Sequence, residues 1–140
     1  MDISYAVAPF IAWAIAGSLK FIINSVRAGK PAFGLIGYGG LPSNHSAIVS
    51  SAAALIAIRE GLDHPAFAVA IALVFIVILD ANSLRRQVGK HAVAINQFTE
   101  KDNRNSPLRE RIGHTKIEII AGIITGIGTA YFVDSLHLTV

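Results

Sequence analysis

The chain has 140 residues, of which 53% are hydrophobic and only 15% are charged, and its mean hydropathy is +0.55. This composition excludes a disordered chain, and it argues against a water-soluble domain because so short a chain has too few charges to cover its surface. The absence of cysteine excludes a disulfide framework and thiolate metal sites. The net charge of +3 does not indicate nucleic-acid binding, since the basic residues lie between apolar runs rather than along one polar face.

Four apolar runs predict an all-α fold, an integral membrane helical bundle with about four transmembrane helices in a single domain, residues 1–140. The first run, residues 5–26, is about 33 Å long as a helix and is therefore able to cross a bilayer. It has no basic segment before it, which favours a membrane span over a signal peptide. The second run, residues 45–58, is short and rich in Ser and Ala, which predicts packing among neighbouring helices.

The third run, residues 65–79, is the most apolar, and its helical pattern continues to about residue 98. The fourth run, residues 117–133, carries Gly122 and Gly126, which allow another helix to approach closely. We expect a homo-oligomer formed through these glycines and the small residues 50–54, although packing of the glycines within one chain explains them equally well.

The basic residues are distributed unequally about these runs. Residues 20–41 and 80–116 hold 11 of the 12 Lys and Arg, and Arg59 is the other one. The positive-inside rule therefore predicts that both segments are cytoplasmic, in a plasma or inner membrane, with both termini outside.

A glycine-rich loop runs into a helix at residues 39–47, GGLPSNHSA, with Ser43 as the predicted N-cap. The free amides and positive dipole of a helix N-terminus attract phosphate, and the hydroxyl and imidazole groups of this string add donors. Ser43, Asn44, His45 and Ser46 are therefore candidate binding residues. A capped helix that begins at a membrane surface explains the same string without a ligand.

Cations occur on the same predicted side of the membrane: Lys20, Arg27, and the pair Arg85 and Arg86, which follows Asp80. Arginine offers a rigid fork of donors to phosphate oxygens and lysine a mobile point charge, so these four side chains are able to hold one phosphate group. Snorkelling of Lys20 and Arg27 to lipid headgroups is the alternative explanation for those two.

Two further residues lie near the start of the fourth run. His114 and Glu118 are four positions apart and therefore share one helical face, where the carboxylate is able to orient the imidazole. Hydrolysis through a phosphohistidine needs one histidine to attack and another to donate a proton, and His45 and His114 meet that need. An interfacial polar pair is the alternative reading of His114 and Glu118.

These residues resemble the type 2 phosphatidic acid phosphatase superfamily, whose signatures are Lys-x6-Arg-Pro, Pro-Ser-Gly-His and Ser-Arg-x5-His-x3-Asp. Lys20 and Arg27 have the first spacing without the proline, and residues 42–45 match the second signature with Asn in place of Gly. Arg85 and His91 have the spacing of the third, but Leu and Ile replace its Ser and Asp.

The chain more closely resembles a small divergent branch of that superfamily. The matching blocks are residues 39–47, Asp80 with Arg85–Arg86 and Gly89, and residues 112–114 with Glu118. This branch does not require histidine at position 91, which favours His114 over His91 as the nucleophile.

The resemblance implies a lipid phosphatase acting on phosphatidate, phosphatidylglycerol phosphate or a polyprenyl diphosphate. His114 would attack phosphorus, His45 would protonate the leaving alcohol and Glu118 would orient His114. The phosphate-binding set would be Lys20, Arg27, Ser43, Ser46, Arg85 and Arg86. No cofactor would be required, and Asp80 would either hold an arginine in place or help to bind Mg²⁺.

Two other functions remain open at this point. Departures from all three signatures favour a lipid-phosphate binding or transport protein that no longer turns over its ligand. A structural membrane protein whose basic side only contacts anionic membrane lipids is the second. In neither case is a nucleic-acid partner expected.

Overall fold

A computed structural model describes residues 3–33, 40–99, 107–110 and 112–136. Gly39 and most of the loop predicted at residues 99–111 lie outside the described residues. The described part is helical and contains no strand, so the all-α prediction is confirmed. Its helices are α1 (Ser4–Ala28), α2 (Asn44–Glu60), α3 (Pro65–Leu79), α4 (Arg85–Thr99) and α5 (Lys116–Leu136), and a π-helical segment, Asp80–Leu84, joins α3 to α4.

Three helices of the described chain are long and apolar enough to cross a membrane: α1, the continuous 35-residue helix Pro65–Thr99, and α5. Helix α2 has 17 residues, which corresponds to about 25 Å and is less than the hydrocarbon thickness of about 30 Å. The prediction of four transmembrane helices is therefore supported for three of them and stays a prediction for α2.

Helix α2 lies at the centre of the bundle and packs against α1, α3 and α5. Its buried residues are mainly small, Ser and Ala, which lets the three neighbouring backbones approach closely. Helix α1 contributes a matching stripe at every fourth position: Ser4, Ala8, Ala12 and Ala16. In contrast, α3 has no fully buried residue, and most of its apolar side chains are exposed, as expected for contact with lipid.

Gly122 and Gly126 of α5 allow close packing against α2 of the same chain. A Cβ on Gly122 would lie 2.4 Å from the carbonyl oxygen of Ser43, and a Cβ on Gly126 would lie 2.5 Å from that of Ala47. The small residues of α2 are also buried against their own chain. Intramolecular packing therefore accounts for these glycines, and the predicted homo-oligomer stays a prediction.

The end of the bundle that holds the C-terminus of α2 is joined by polar contacts. The Arg59 guanidinium contacts Asp134 of α5, with Nε and Oδ1 2.6 Å apart, and lies over the Tyr5 ring of α1 at 5.4 Å from its centroid. The Tyr5 hydroxyl donates a hydrogen bond to Glu60. These contacts connect α1, α2 and α5 at that end of the bundle.

At the opposite end, the π-helical segment joins two distant parts of the chain. The Arg85 amide donates to the carbonyl oxygen of Asp80, five residues back, whereas the carbonyl oxygen of Ala81 accepts from the His114 amide at 3.1 Å. Gly89 allows the backbone of Glu110 to approach α4, since a Cβ there would lie 2.4 Å from its carbonyl oxygen. The segment before α5 is thereby held against the helix that carries Arg85.

Candidate functional site

A cleft of about 980 Å³ opens between α1, the first turn of α2, Arg85 and the segment before α5. It combines apolar walls with several polar side chains. The residues that line it are Trp13, Ala14, Gly17, Ser18, Lys20, Phe21, Ile22, Asn24, Ala32, Phe33, Asn44, His45, Ile48, Arg85, Arg109, Ile112, Gly113 and His114.

His114 is the most constrained polar residue of the cleft. It is 8% exposed, its amide is hydrogen-bonded to Ala81, and its Nδ1 lies 3.1 Å from Oε2 of Glu118. The same Glu118 oxygen accepts from the Thr115 amide at 3.0 Å, while the Thr115 hydroxyl accepts from the Glu118 amide. This reciprocal pair is a capping box, so the start of α5 holds the carboxylate in position beside His114.

The protonation of His114 follows from these surroundings. Burial lowers its pKa below the usual value for histidine, and the hydrogen bond and negative charge of Glu118 oppose that shift only in part. The charges of Lys20 and Arg85 lower the pKa further. His114 is therefore neutral near pH 7, and when its Nδ1–H donates to Glu118, Nε2 carries a free lone pair.

His45 lies across the cleft from His114, near the N-terminus of α2. The two ring centroids are 5.9 Å apart and the ring planes are inclined by 57°. Nε2 of His45 lies 3.4 Å from an Nη atom of Arg85, whose Nε donates to Oδ2 of Asp80 at 2.9 Å. Lys20 of α1 lines the same cleft. Two imidazoles and two cations from four separate parts of the chain thus converge on one cleft.

Comparison with known proteins places the chain in a family. Residues 2–129, which include every residue lining the cleft, match the Divergent PAP2 family. The chain belongs to the Divergent PAP2 family. A curated relative is uncharacterized membrane protein YuiD of Bacillus subtilis (strain 168), which is 34% identical over 105 residues.

That match covers 64% of this chain and 66% of YuiD, so this Divergent PAP2 chain spans just under two-thirds of the curated relative's length. No solved structure matches the chain. Family membership, the membrane-protein relative and the three apolar helices together identify this member as a membrane protein.

In this Divergent PAP2 member, five of the predicted site residues line the cleft, namely Lys20, Asn44, His45, Arg85 and His114. Glu118 stands behind His114, and Asp80 stands behind Arg85. The structure therefore brings together residues from all three sequence blocks, with each carboxylate next to the group that it was expected to orient.

Other predicted residues lie elsewhere. Ser43 and Ser46 are fully buried, and the Ser43 hydroxyl accepts from both the amide and the hydroxyl of Ser46. These serines cap α2 and do not line the cleft. Arg27, Arg86 and His91 are exposed and are also absent from its lining.

Sequence reasoning missed several lining residues of this Divergent PAP2 cleft. Arg109 adds a third cation to the lining, and Trp13, Phe21 and Asn24 belong to the same helix as Lys20. The α1 residues form one helical face, as the spacing of Trp13, Lys20 and Asn24 by seven and four positions would have indicated. The position of Arg109 depends on how its segment packs and carries no such periodic signal.

The donor set near Asp80 does not fit the Mg²⁺ site considered above. The Asp80 carboxylate is paired with the Arg85 guanidinium, a cation that disfavours a second positive charge beside it. Within the described ranges, no group of three or more His, Asp or Glu side chains is arranged to hold a metal ion.

Proposed function

We propose that this membrane protein is a phosphatase that removes the terminal phosphate of a phosphorylated lipid through a phosphohistidine at His114. The proposal rests on one observation. The cleft places a buried histidine, oriented by a carboxylate, 5.9 Å from a second histidine and beside two cations. Phosphoryl transfer to histidine needs these groups and little else.

Phosphate binding uses charge that is already in place. Lys20 and Arg85 supply cations, and the N-terminal turn of α2 supplies amides and a positive dipole end. Asp80 holds the Nε edge of Arg85 and so leaves the Nη atoms directed toward His45. A phosphate in this position contacts donors from α1, α2 and the start of α4.

In the first step, the Nε2 lone pair of His114 attacks phosphorus while the bond to the leaving oxygen breaks; this is the alcohol oxygen of a monoester or the bridging phosphate oxygen of a diphosphate. Protonated His45 gives its proton to the departing oxygen. The negative charge of bound phosphate among Lys20 and Arg85 favours this protonated state of His45 electrostatically. Glu118 stabilises the positive charge that develops on His114, as carboxylates do for catalytic imidazoles.

In the second step, water attacks phosphorus and the nitrogen–phosphorus bond breaks. Neutral His45 now accepts the water proton, inorganic phosphate leaves, and His114 returns to its starting state. Both cations contact the phosphoryl oxygens throughout, so they stabilise the charged transition state of each step.

A lipid substrate follows from the location of the cleft between helices that carry exposed apolar side chains. Candidate substrates are phosphatidate, phosphatidylglycerol phosphate and polyprenyl diphosphates, each of which keeps its tail in the bilayer while the phosphate meets the cations. We place the cleft on the cytoplasmic side, because the basic loops are expected there.

The proposal is tested by measuring inorganic phosphate released from these lipids by the purified chain, with and without EDTA. We expect release by wild type and by His91→Asn, a control outside the cleft, and its loss in His114→Asn. Wild-type protein treated with labelled substrate should carry acid-labile phosphate that His114→Asn lacks.

Equal activity of His114→Asn and wild type would refute the assignment of His114 as the nucleophile. Saturable binding of lipid phosphate by wild type without phosphate release would favour a binding or transport protein instead. Loss of activity with EDTA that Mg²⁺ restores would refute the metal-free route.

A further inference from the structure

The cleft is larger than a phosphate group requires, and between Lys20 and Trp13 its lining is mainly apolar, with Ser18 and Asn44 as the polar exceptions. From Lys20 it extends along α1 past Gly17 and Ala14 to Trp13, and Ile48 of α2 faces this stretch. The seven positions from Lys20 to Trp13 correspond to about 10 Å of helix, which is the length of roughly eight methylene groups.

The α1 side chains of this stretch are small near Lys20 and large at Trp13. Gly17 and Ala14 are small, although the Asn44 side chain of α2 lies beside Gly17, where a Cβ would be 3.7 Å from its Nδ2. Trp13 is large and is 58% exposed at the far end. Helix α1 packs against α2 and α5 through a different face, its Ala stripe. The stretch is therefore open to lipid, and we call Trp13, Ala14, Gly17 and Ile48 the apolar strip.

We propose that the apolar strip binds the first seven to nine carbons of the substrate chain next to the phosphate, and that Trp13 ends this contact and so determines chain-length preference. The proposal rests on the function proposed above and narrows its substrate class to a phosphorylated amphiphile whose tail extends at least that far from the phosphate. Helix α1 thus provides both a phosphate cation and the surface for the tail.

The expected dependence on chain length can be worked out for short, water-soluble alkyl phosphates. Each methylene that leaves water for the strip raises kcat/KM by about fourfold, and the rise ends when the chain reaches Trp13. Chains too short to reach Trp13 do not sense its side chain. Replacing Trp13 therefore affects long chains selectively, by about tenfold for an indole in contact with the chain end.

The kinetic test uses butyl, hexyl, octyl and decyl phosphate below their critical micelle concentrations, with the full chain at fixed detergent concentration. We expect Trp13→Ala to lower the decyl-to-butyl ratio of kcat/KM about tenfold relative to wild type. The matched control is Phe10→Ala, because Phe10 is an aromatic of the same helix, 72% exposed and outside the cleft lining. An equal ratio in the two variants would overturn the proposal.

A second measurement does not depend on turnover. Trp13 is the single tryptophan of the chain, so the intrinsic tryptophan fluorescence reports on this position. We expect 8-bromooctyl phosphonate to quench it saturably, octyl phosphonate to reverse the quenching, and Arg85→Ala to abolish it. Equal quenching by 8-bromooctanol, which has no phosphonate, would overturn the proposed binding to the apolar strip. Full quenching by 8-bromooctyl phosphonate in Arg85→Ala would overturn it as well. Saturable quenching without phosphate release from any lipid would refute the phosphatase activity but support binding of the tail to the apolar strip.

Discussion

Replacing Gly122 by alanine should destabilise the bundle although alanine is the better helix former. The added methyl would lie 2.4 Å from the Ser43 carbonyl oxygen and 2.8 Å from the Ser46 Cβ, and neither atom is the end of a flexible side chain. Overpacking of this kind costs about 1 to 3 kcal/mol, whereas the gain in helix propensity is up to about 1 kcal/mol. We expect a net loss of up to about 2 kcal/mol in the free energy of unfolding.

Gly128→Ala is the matched control, because a Cβ at Gly128 of the same helix meets no atom within 4 Å. There the propensity gain remains, so unchanged or slightly higher stability is expected. Both variants are compared by reversible unfolding with sodium dodecyl sulfate in mixed micelles, followed by far-ultraviolet circular dichroism. A Gly122→Ala variant as stable as Gly128→Ala would refute the close approach of α2 and α5.

The same pair of variants should differ in phosphate release. Ser43 donates its amide to the Glu118 carbonyl oxygen at 2.9 Å, and Ser43 precedes the turn that carries His45. A shift of α2 away from α5 therefore moves His45 relative to His114. We expect lower activity in Gly122→Ala and wild-type activity in Gly128→Ala, and equal activities would contradict this coupling.

Three further predictions concern charge. Glu118→Gln keeps an oxygen for the capping box but removes the charge that raises the pKa of His114. The acidic limb of the kcat/KM profile should therefore move to lower pH, and kcat should fall by up to about 10⁴-fold, as when an amide replaces the carboxylate that orients a catalytic imidazole. An acidic limb at the wild-type pH would contradict the pairing. Burial lowers the pKa of His114, so as the pH falls the unfolded chain binds this proton before the folded chain does. The free energy of unfolding should therefore decrease as the pH is lowered from about 7 to about 5, and it should decrease less in His114→Gln. The same pH dependence of stability in the two proteins would show that His114 is not responsible. Asp134→Asn should lower the free energy of unfolding by about 1 kcal/mol, because it weakens the contact with Arg59. This contact lies far from the cleft, so kcat/KM should be unchanged. A lower kcat/KM in a variant of wild-type stability would show that the contact and the cleft are coupled.

The positions of the helices could be predicted because each apolar run has clear local boundaries. Gly29 and Gly61 follow α1 and α2, and Pro65 occupies the first position of α3, where no amide donor is needed. The π-helical segment has no comparable signal. It determines which arginine of the adjacent pair faces the cleft, since consecutive helical positions point about 100° apart and one inserted residue changes that direction.

The site could be predicted only as a set of neighbouring blocks. Ser43 at an N-cap gives the same sequence pattern whether its hydroxyl faces a ligand or, as here, another buried serine. The spacing of Arg27 and His91 matches a known signature, but spacing along the chain does not determine which face a neighbouring helix covers. The spacing of four predicted that His114 and Glu118 would meet on one helical face. They do meet, but His114 lies before α5, and the capping box at Thr115 brings the Glu118 carboxylate back to it.

The central position of α2 has a consequence for how the protein is made. Its buried serines have their main packing partner in α5, which is synthesised roughly 4 to 15 seconds after α2 at ordinary translation rates. During that interval a Ser- and Ala-rich helix that is short for a bilayer has only its nearer neighbours α1 and α3 beside it. A nascent chain lacking the last helix would therefore expose these hydroxyls to lipid or leave α2 incompletely inserted, which makes such a truncated product a natural target for membrane quality control.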